Sequence, residues 1–211
     1  MGTTETPPRR ASAENPLRIA VLISGGGSGL LALLKYQSEE IRCHKTVLVL
    51  SDKEDAGGLE HGRNKGITTK AIPLPPIGDK KEQRSTHEEL VQKELENSQV
   101  EFVVLSGYMR IFTPWFVRIW KGRMVNIHPS LLPHFPGAHP HRDVISSGVS
   151  TTGCTVHLVD EGVDSGPIIA QREAPVLTGD NEFSLQERVK ILEHELYPET
   201  IDKYCSGKIT L

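Results

Sequence analysis

Short apolar runs, separated by stretches of helical character, constrain this chain more than any other feature. Ile19-Ala20-Val21-Leu22-Ile23, Val47-Leu48-Val49-Leu50 and Phe102-Val103-Val104-Leu105 contain no polar residue. Strands built from them must be covered on both faces. Helical stretches alternate with these runs: about Leu30 to Tyr36, about Leu59 to Lys65 with Gly66 as a terminating C′ glycine, and Lys80 to Glu96, charged but with Leu90, Val91 and Leu95 on one face. Thr69 to Ile72 reads as a short third strand, broken by Pro73, Pro75 and Pro76, and a fifth strand runs from about Met124 to His128. This β-α-β-α order predicts an α/β fold with a mostly parallel central sheet and helices on both faces. The second half reads differently. Thr155 to Val159 and Ile168 to Val176 are strands with no long helix between them. A closing helix runs from about Ser184 to Tyr204, its buried stripe being Leu185, Val189, Leu192 and Leu196, and Ser184 and Glu187 stand at capping-box spacing.

A length of 211 residues suits one α/β domain. Residues 1–16, with Pro7, Pro8 and Pro16, read as a disordered leader, and 17–211 as a single catalytic domain. The net charge of −3 carries no electrostatic footprint for nucleic acid. No apolar run approaches the ~20 residues that span a bilayer, and the N-terminus lacks a signal-peptide core. The start matches a myristoylation pattern around Gly2, but the pattern is short and arises easily by chance. Cys43, Cys154 and Cys205 are far apart and form no CxxC pair, which argues against a disulfide framework or thiolate zinc site and for a reducing, cytoplasmic location.

In open parallel sheets, ligands bind beyond the C-terminal ends of strands, and the chemically interesting residues follow strands here. Ser24-Gly25-Gly26-Gly27-Ser28-Gly29 lies between a strand and a helix. Glycines allow close backbone approach and a helix N-terminus offers free N–H groups, so the loop reads as a phosphate cradle or, more simply, a tight turn. It is neither a dinucleotide fingerprint, since Leu30 stands where the last glycine belongs, nor an ATP P-loop, since no Gly-Lys-Ser/Thr follows. Asn126 and His128 are two apart on a strand and point to one face. An amide donor beside a group that titrates near neutrality can stabilise an oxyanion and manage a proton. Pro129 holds His128 extended, and a proline-pinned loop follows through Pro133, Pro136 and Gly137. Asp164 lies in an acidic turn between the last two strands; such a turn is ordinarily just solvated, but this one belongs to the sheet half that carries His128, so pairing with it is expected. His134, His139 and His141 invite a zinc reading, but no Cys or Glu stands at ligand spacing nearby.

With these motifs in view, the chain resembles the phosphoribosylglycinamide formyltransferase family, folate-dependent enzymes of the purine pathway, over nearly all of Arg18 to Leu211. The most specific stretch is Gly107 to Gly137, with Gly-Tyr-Met-Arg-Ile and Asn-Ile-His-Pro-Ser-Leu-Leu-Pro-x-Phe-Pro-Gly; Val163 to Ile169 and Glu193-His194-x-x-Tyr197-Pro198 agree. The resemblance implies a Rossmann-like formyltransferase fold and a catalytic trio of Asn126, His128 and Asp164. It implies a substrate site of Gly27, Ser28, Gly29, Gly107, Met109, Lys190 and Glu193, with the glycine loop on the substrate phosphate and Glu193 on its ribose. Arg84, Met109, Arg110, Ile111 and Asp160 match folate-pocket positions, His157 sits near the same cleft, and Leu132-Pro133 is expected to be cis. Gly26 and Gly29 depart from the family, which often carries asparagine at both. The second asparagine contributes a side chain to phosphate binding, so backbone N–H groups and Lys190 must do more here.

The implied reaction is attack of the primary amine of glycinamide ribonucleotide on the formyl carbon of 10-formyltetrahydrofolate, a co-substrate, with no metal. Asn126 and a protonated His128, its pKa raised by Asp164, would meet the oxyanion. A formyltetrahydrofolate hydrolase would use the same trio with water but usually adds an N-terminal regulatory domain. A tRNA-directed enzyme would need a C-terminal RNA-binding domain and a basic surface. A non-catalytic nucleotide-binding module would leave the trio unexplained. The implied partners are the two small molecules, with no nucleic acid and no membrane, and a homodimer is compatible with the sequence.

Overall fold

The computed structural model describes residues 8–76 and 78–211. The Gly2 pattern lies outside the described residues. The chain runs β1 (Leu17–Ile23), α1 (Ser28–Glu39), β2 (His44–Ser51), α2 (Gly58–Arg63), β3 (Thr68–Ala71), α3 (Lys80–Asn97), β4 (Phe102–Leu105), α4 (Pro114–Ile119), β5 (Met124–His128), α5 (Pro140–Ser147), β6 (Thr151–Leu158), β7 (Ile168–Pro175) and α6 (Glu182–Cys205). One seven-stranded sheet has the order β3-β2-β1-β4-β5-β6-β7. Its first five strands pair in parallel, while β6 and β7 run antiparallel to their neighbours. No described helix is long and apolar enough to cross a membrane.

The apolar runs explain the layering. Along β1, Leu17, Ile19, Val21 and Ile23 enter one core with α1, α5 and α6, while Ala20 and Leu22 enter a second core with α3 and α4. This period-two division is why the run has no polar face. Strand order reverses between β1 and β4, opening a crevice at their C-terminal ends. The loops leaving these two strands are laced together there: Ser24 N–H donates to Gly107 O (3.2 Å) and Met109 N–H to Ser24 Oγ (2.8 Å).

Several boundaries move. Gly66 closes α2 as expected: it adopts φ 66°, and Ile67 N–H reaches back to Gly62 O at 3.0 Å. The closing helix, however, is capped by Asn181, whose side chain accepts from Ser184 N–H while Ser184 Oγ accepts from Asn181 N–H. Ser184 is therefore the third helical residue and not the cap, and Glu187 pairs with Lys190 instead. β6 begins at Thr151, four residues earlier than expected. The short helices α4 and α5 have too few turns to show a period in sequence; each starts on a proline. Residues 8–16 of the expected leader are held on the domain: Arg9 forms a two-point ion pair with Glu101, and Ala11 N–H donates to Cys205 O at 3.0 Å.

One buried group sets an acid limit. The His44 side chain is 0% exposed, accepts from the Gln37 amide at Nδ1 (2.7 Å) and stands 3.6 Å from Asp202. Burial lowers its pKa below the ordinary 6.5, outweighing Asp202. Between the unfolded and folded values the unfolded chain binds the extra proton, so stability falls as pH drops below about 6.5, by up to about 1.4 kcal/mol per pH unit from this residue. Other histidines are also buried, so the measurement is a difference. Urea midpoints from pH 7 to 5 should fall less steeply for His44→Gln than for the parent, and equal slopes would refute the assignment.

Candidate active site

The glycine loop forms one wall of a cleft of about 670 Å³ at the C-terminal ends of β1, β4 and β5. Gly27 turns the chain into α1 with φ 68°, and an added Cβ would stand 2.8 Å from Gly58 Cα, so a side chain here would be both strained and blocked. The cap of α1 makes no side-chain hydrogen bond, leaving the first N–H groups of the helix for a ligand. Gly25 and Gly26 face open space, whereas a Cβ at Gly29 would come 2.5 Å from Ser106 Oγ.

At the foot of the cleft, β5 presents Asn126 and His128 together. Antiparallel register sets His157 of β6 opposite Asn126. His157 Nδ1 lies 2.9 Å from Leu158 O and its Nε2 3.2 Å from the Asn126 amide nitrogen. Asp164, in the β6–β7 turn at φ 51°, bridges the two histidines: Oδ2 lies 3.3 Å from His128 Nδ1 and Oδ1 3.6 Å from His157 Nε2. Gly137 N–H donates to the same carboxylate at 2.9 Å, tying the proline-rich loop to the site. That loop is pinned further by Thr155, whose Oγ1 donates to Ser130 O (2.7 Å) and accepts from Leu132 N–H (3.0 Å); Leu132-Pro133 is cis, as the resemblance implied.

The electrostatics correct one expectation. Burial lowers the His128 pKa, and neither the Phe135 carbonyl nor Asp164 offsets it. The sequence offers the carboxylate neighbour but not the depth of burial, and desolvation wins. Burial thus favours the uncharged ring, whose Nε2–H points to Phe135 O at 2.8 Å, leaving Nδ1 towards Asp164. A proton taken up at Nδ1 gains the Asp164 carboxylate as its partner. Burial pushes the Asp164 carboxyl up, but His157, Gly137 N–H and His128 together outweigh it and hold it low, so Asp164 stays charged.

The other expected residues divide between two pockets. Gly107, Met109, Arg110, Ile111, Asp160, Lys190 and Glu193 line the main cleft. Arg84 does not; it lines an adjoining pocket of about 390 Å³ that shares Met109, Arg110 and Ile111 with the cleft. Arg110 is paired with buried Asp52 at 2.6 Å, and Asp160 accepts from Gly162 N–H and Ser165 Oγ. Burial pushes the Glu193 carboxyl up to about 7, against the pull of Lys190. Gln186, which sequence reasoning did not single out, also lines the cleft, as do His141 and His194, which it named without a place in the substrate site. The histidines of 134–141 separate, with His134 and His139 exposed and His141 buried.

The chain is similar to known proteins over most of its length. The sequence signature described as formyl transferase matches residues 17–201. The chain is 37% identical over 195 residues to phosphoribosylglycinamide formyltransferase of Escherichia coli K12, covering 92% of this chain and 90% of that protein. It is 42% identical over 194 residues to the trifunctional purine biosynthetic protein adenosine-3 of Bos taurus, covering 92% of this chain but only 19% of that protein. The chain thus spans about a fifth of the length of such trifunctional relatives. The crystal structure of glycinamide ribonucleotide transformylase 1 from Symbiobacterium toebii superposes with a TM-score of 0.88 at 38% identity, covering 93% and 91% of the two chains. A seven-stranded sheet of this order, a glycine-loop cleft and the Asn126–His128–Asp164 array lie within the matched span, and the chain belongs to the formyl transferase family.

Proposed function

We propose that this protein transfers the formyl group of 10-formyltetrahydrofolate to the primary amine of glycinamide ribonucleotide. The observation that carries the reading is the linked array Asn126–His157–Asp164–His128 at the foot of a cleft whose wall is an uncapped helix start. The amine nitrogen attacks the formyl carbon, a C–N bond forms, and the carbonyl electron pair moves to oxygen. The Asn126 amide donates to that oxygen. The Asp164–His128 pair takes the proton shed by the amine, the carboxylate passing it to Nδ1 and stabilising the resulting imidazolium. When the C–N bond to the folate breaks, the proton returns to the departing nitrogen. The lowered pKa leaves the ring free to take up a proton at rest.

The exposed side chains of Met109 (73%) and Ile111 (60%) offer an apolar wall for a flat folate ring, and Arg84 and Arg110 offer cations for its carboxylates. The glycine loop takes the substrate phosphate and Glu193 the ribose hydroxyls. Purified protein given both substrates should yield the formylated amine; release of formate without that product would turn the reading to hydrolysis.

Glu193 gives the reading a pH signature. Its carboxyl titrates near 7, so the charged acceptor is lost as pH falls through that value. KM for the ribonucleotide should rise up to about tenfold per pH unit below 7, since charge-assisted hydrogen bonds are about twice as strong as neutral ones. Glu193→Gln should raise KM at pH 8 and flatten the profile. A parent KM that stays constant from pH 8 to 6 would remove Glu193 from the site.

A further inference from the structure

The space above Gly29 belongs to a hydroxyl. A Cβ built at Gly29 would lie 2.5 Å from Ser106 Oγ but 3.8 Å from Ser106 Cβ. A side chain rooted at 29 would therefore turn the Ser106 hydroxyl out of the position it holds. Ser106 follows β4 directly, its N–H donating to Leu22 O at 2.9 Å, so its backbone is fixed to the end of β1. Both Ser106 and residues 25–29 line the main cleft. Among the described residues no protein group hydrogen-bonds to Ser106 Oγ, whereas Ser24, the other serine at this strand junction, spends its hydroxyl on Met109 N–H. Ser106 is thus a donor with no internal partner, beside the first free N–H groups of α1.

We infer that Ser106 is a specificity-determining residue whose hydroxyl donates to the phosphate of the substrate, supplying the side-chain contact that position 29 lacks. The inference rests on the phosphate reading of the glycine loop given above. The chemistry favours it: a phosphate brings acceptor oxygens only, and a neutral hydroxyl adds a donor without adding charge. Glycine at 29 leaves the Ser106 hydroxyl in this position, where a side chain at 29 would turn it aside.

The test compares formyl transfer to glycinamide ribonucleotide and to its dephosphorylated riboside. In Ser106→Ala, KM for the ribonucleotide should rise about tenfold or more with kcat little changed, as expected for one hydrogen bond to a charged group. Kinetics with the riboside should be unaltered. Adding Gly29→Asn to Ser106→Ala places an amide donor in the vacated space and should recover much of the lost KM. A parent enzyme that prefers the ribonucleotide while Ser106→Ala retains its KM would overturn the role of Ser106 and leave the phosphate site standing. Equal loss on both substrates would also overturn it. A parent that does not distinguish the two substrates would overturn the phosphate reading and this inference with it.

Discussion

Asn126→Ala is expected to lower turnover about 10²–10³-fold, the usual cost of losing one pre-placed oxyanion donor. The effect should fall on kcat, because the formyl oxygen carries full negative charge only after the amine has attacked. Before that, Asn126 contributes little to holding either substrate. The fold should tolerate the change. Asn126 is half-buried, and its side chain contacts the His157 ring, whose Nδ1 remains anchored on Leu158. A melting temperature near that of the parent with a collapsed kcat is the expected pair of results. A variant with kcat within threefold of the parent would mean that the oxyanion is met elsewhere.

Asp164→Asn should also cost about 10²-fold or more, for a different reason. The amide retains an oxygen that can accept from Gly137 N–H, so the loop anchor at 2.9 Å survives. What disappears is the negative charge that stabilises the imidazolium at His128. General acid–base groups contribute about 10²–10⁴-fold, and a base whose conjugate acid has lost its counter-charge gives up much of that. The pH profile separates this role from a structural one. Because burial holds the His128 pKa below 6.5, parent kcat should stay flat near neutrality and fall only in acid, where the ring is already protonated. Without the carboxylate that pKa drops further, so the acid limb of Asp164→Asn should move to lower pH even as its plateau falls. His128→Ala should abolish the limb and lose as much rate or more. The losses should not add across the three residues, because they act on one proton and one oxyanion. An unshifted acid limb in Asp164→Asn would sever Asp164 from His128.

What the sequence determined by itself was the set of layers and the positions from which chemistry could act. Runs apolar on both faces can only be central strands, so β1, β2 and β4 were legible within a few residues. Two-residue spacing on a strand put Asn126 and His128 on one face whatever their surroundings, and the turn after the fourth strand and the glycine loop had to lie at strand ends. The helices α4 and α5 were not legible, because too few turns leave no period to read, whereas the equally short α2 was marked by the glycine that closes it. The cap of α6 was misplaced for a related reason: serine serves either as cap or as third helical residue, and only the backbone conformation of Asn181 settles which. Contacts that depend on register or density belonged to the tertiary structure alone. Antiparallel pairing of β5 with β6 placed His157 against Asn126, and the β6–β7 turn carried Asp164 to both histidines. Burial then reversed the expected direction of the His128 pKa, since desolvation depends on how much protein surrounds the ring and not on which residues neighbour it in sequence. The crowding of Gly29 by Ser106 is of the same kind, a distance between residues 77 positions apart that only the β1–β4 pairing brings together.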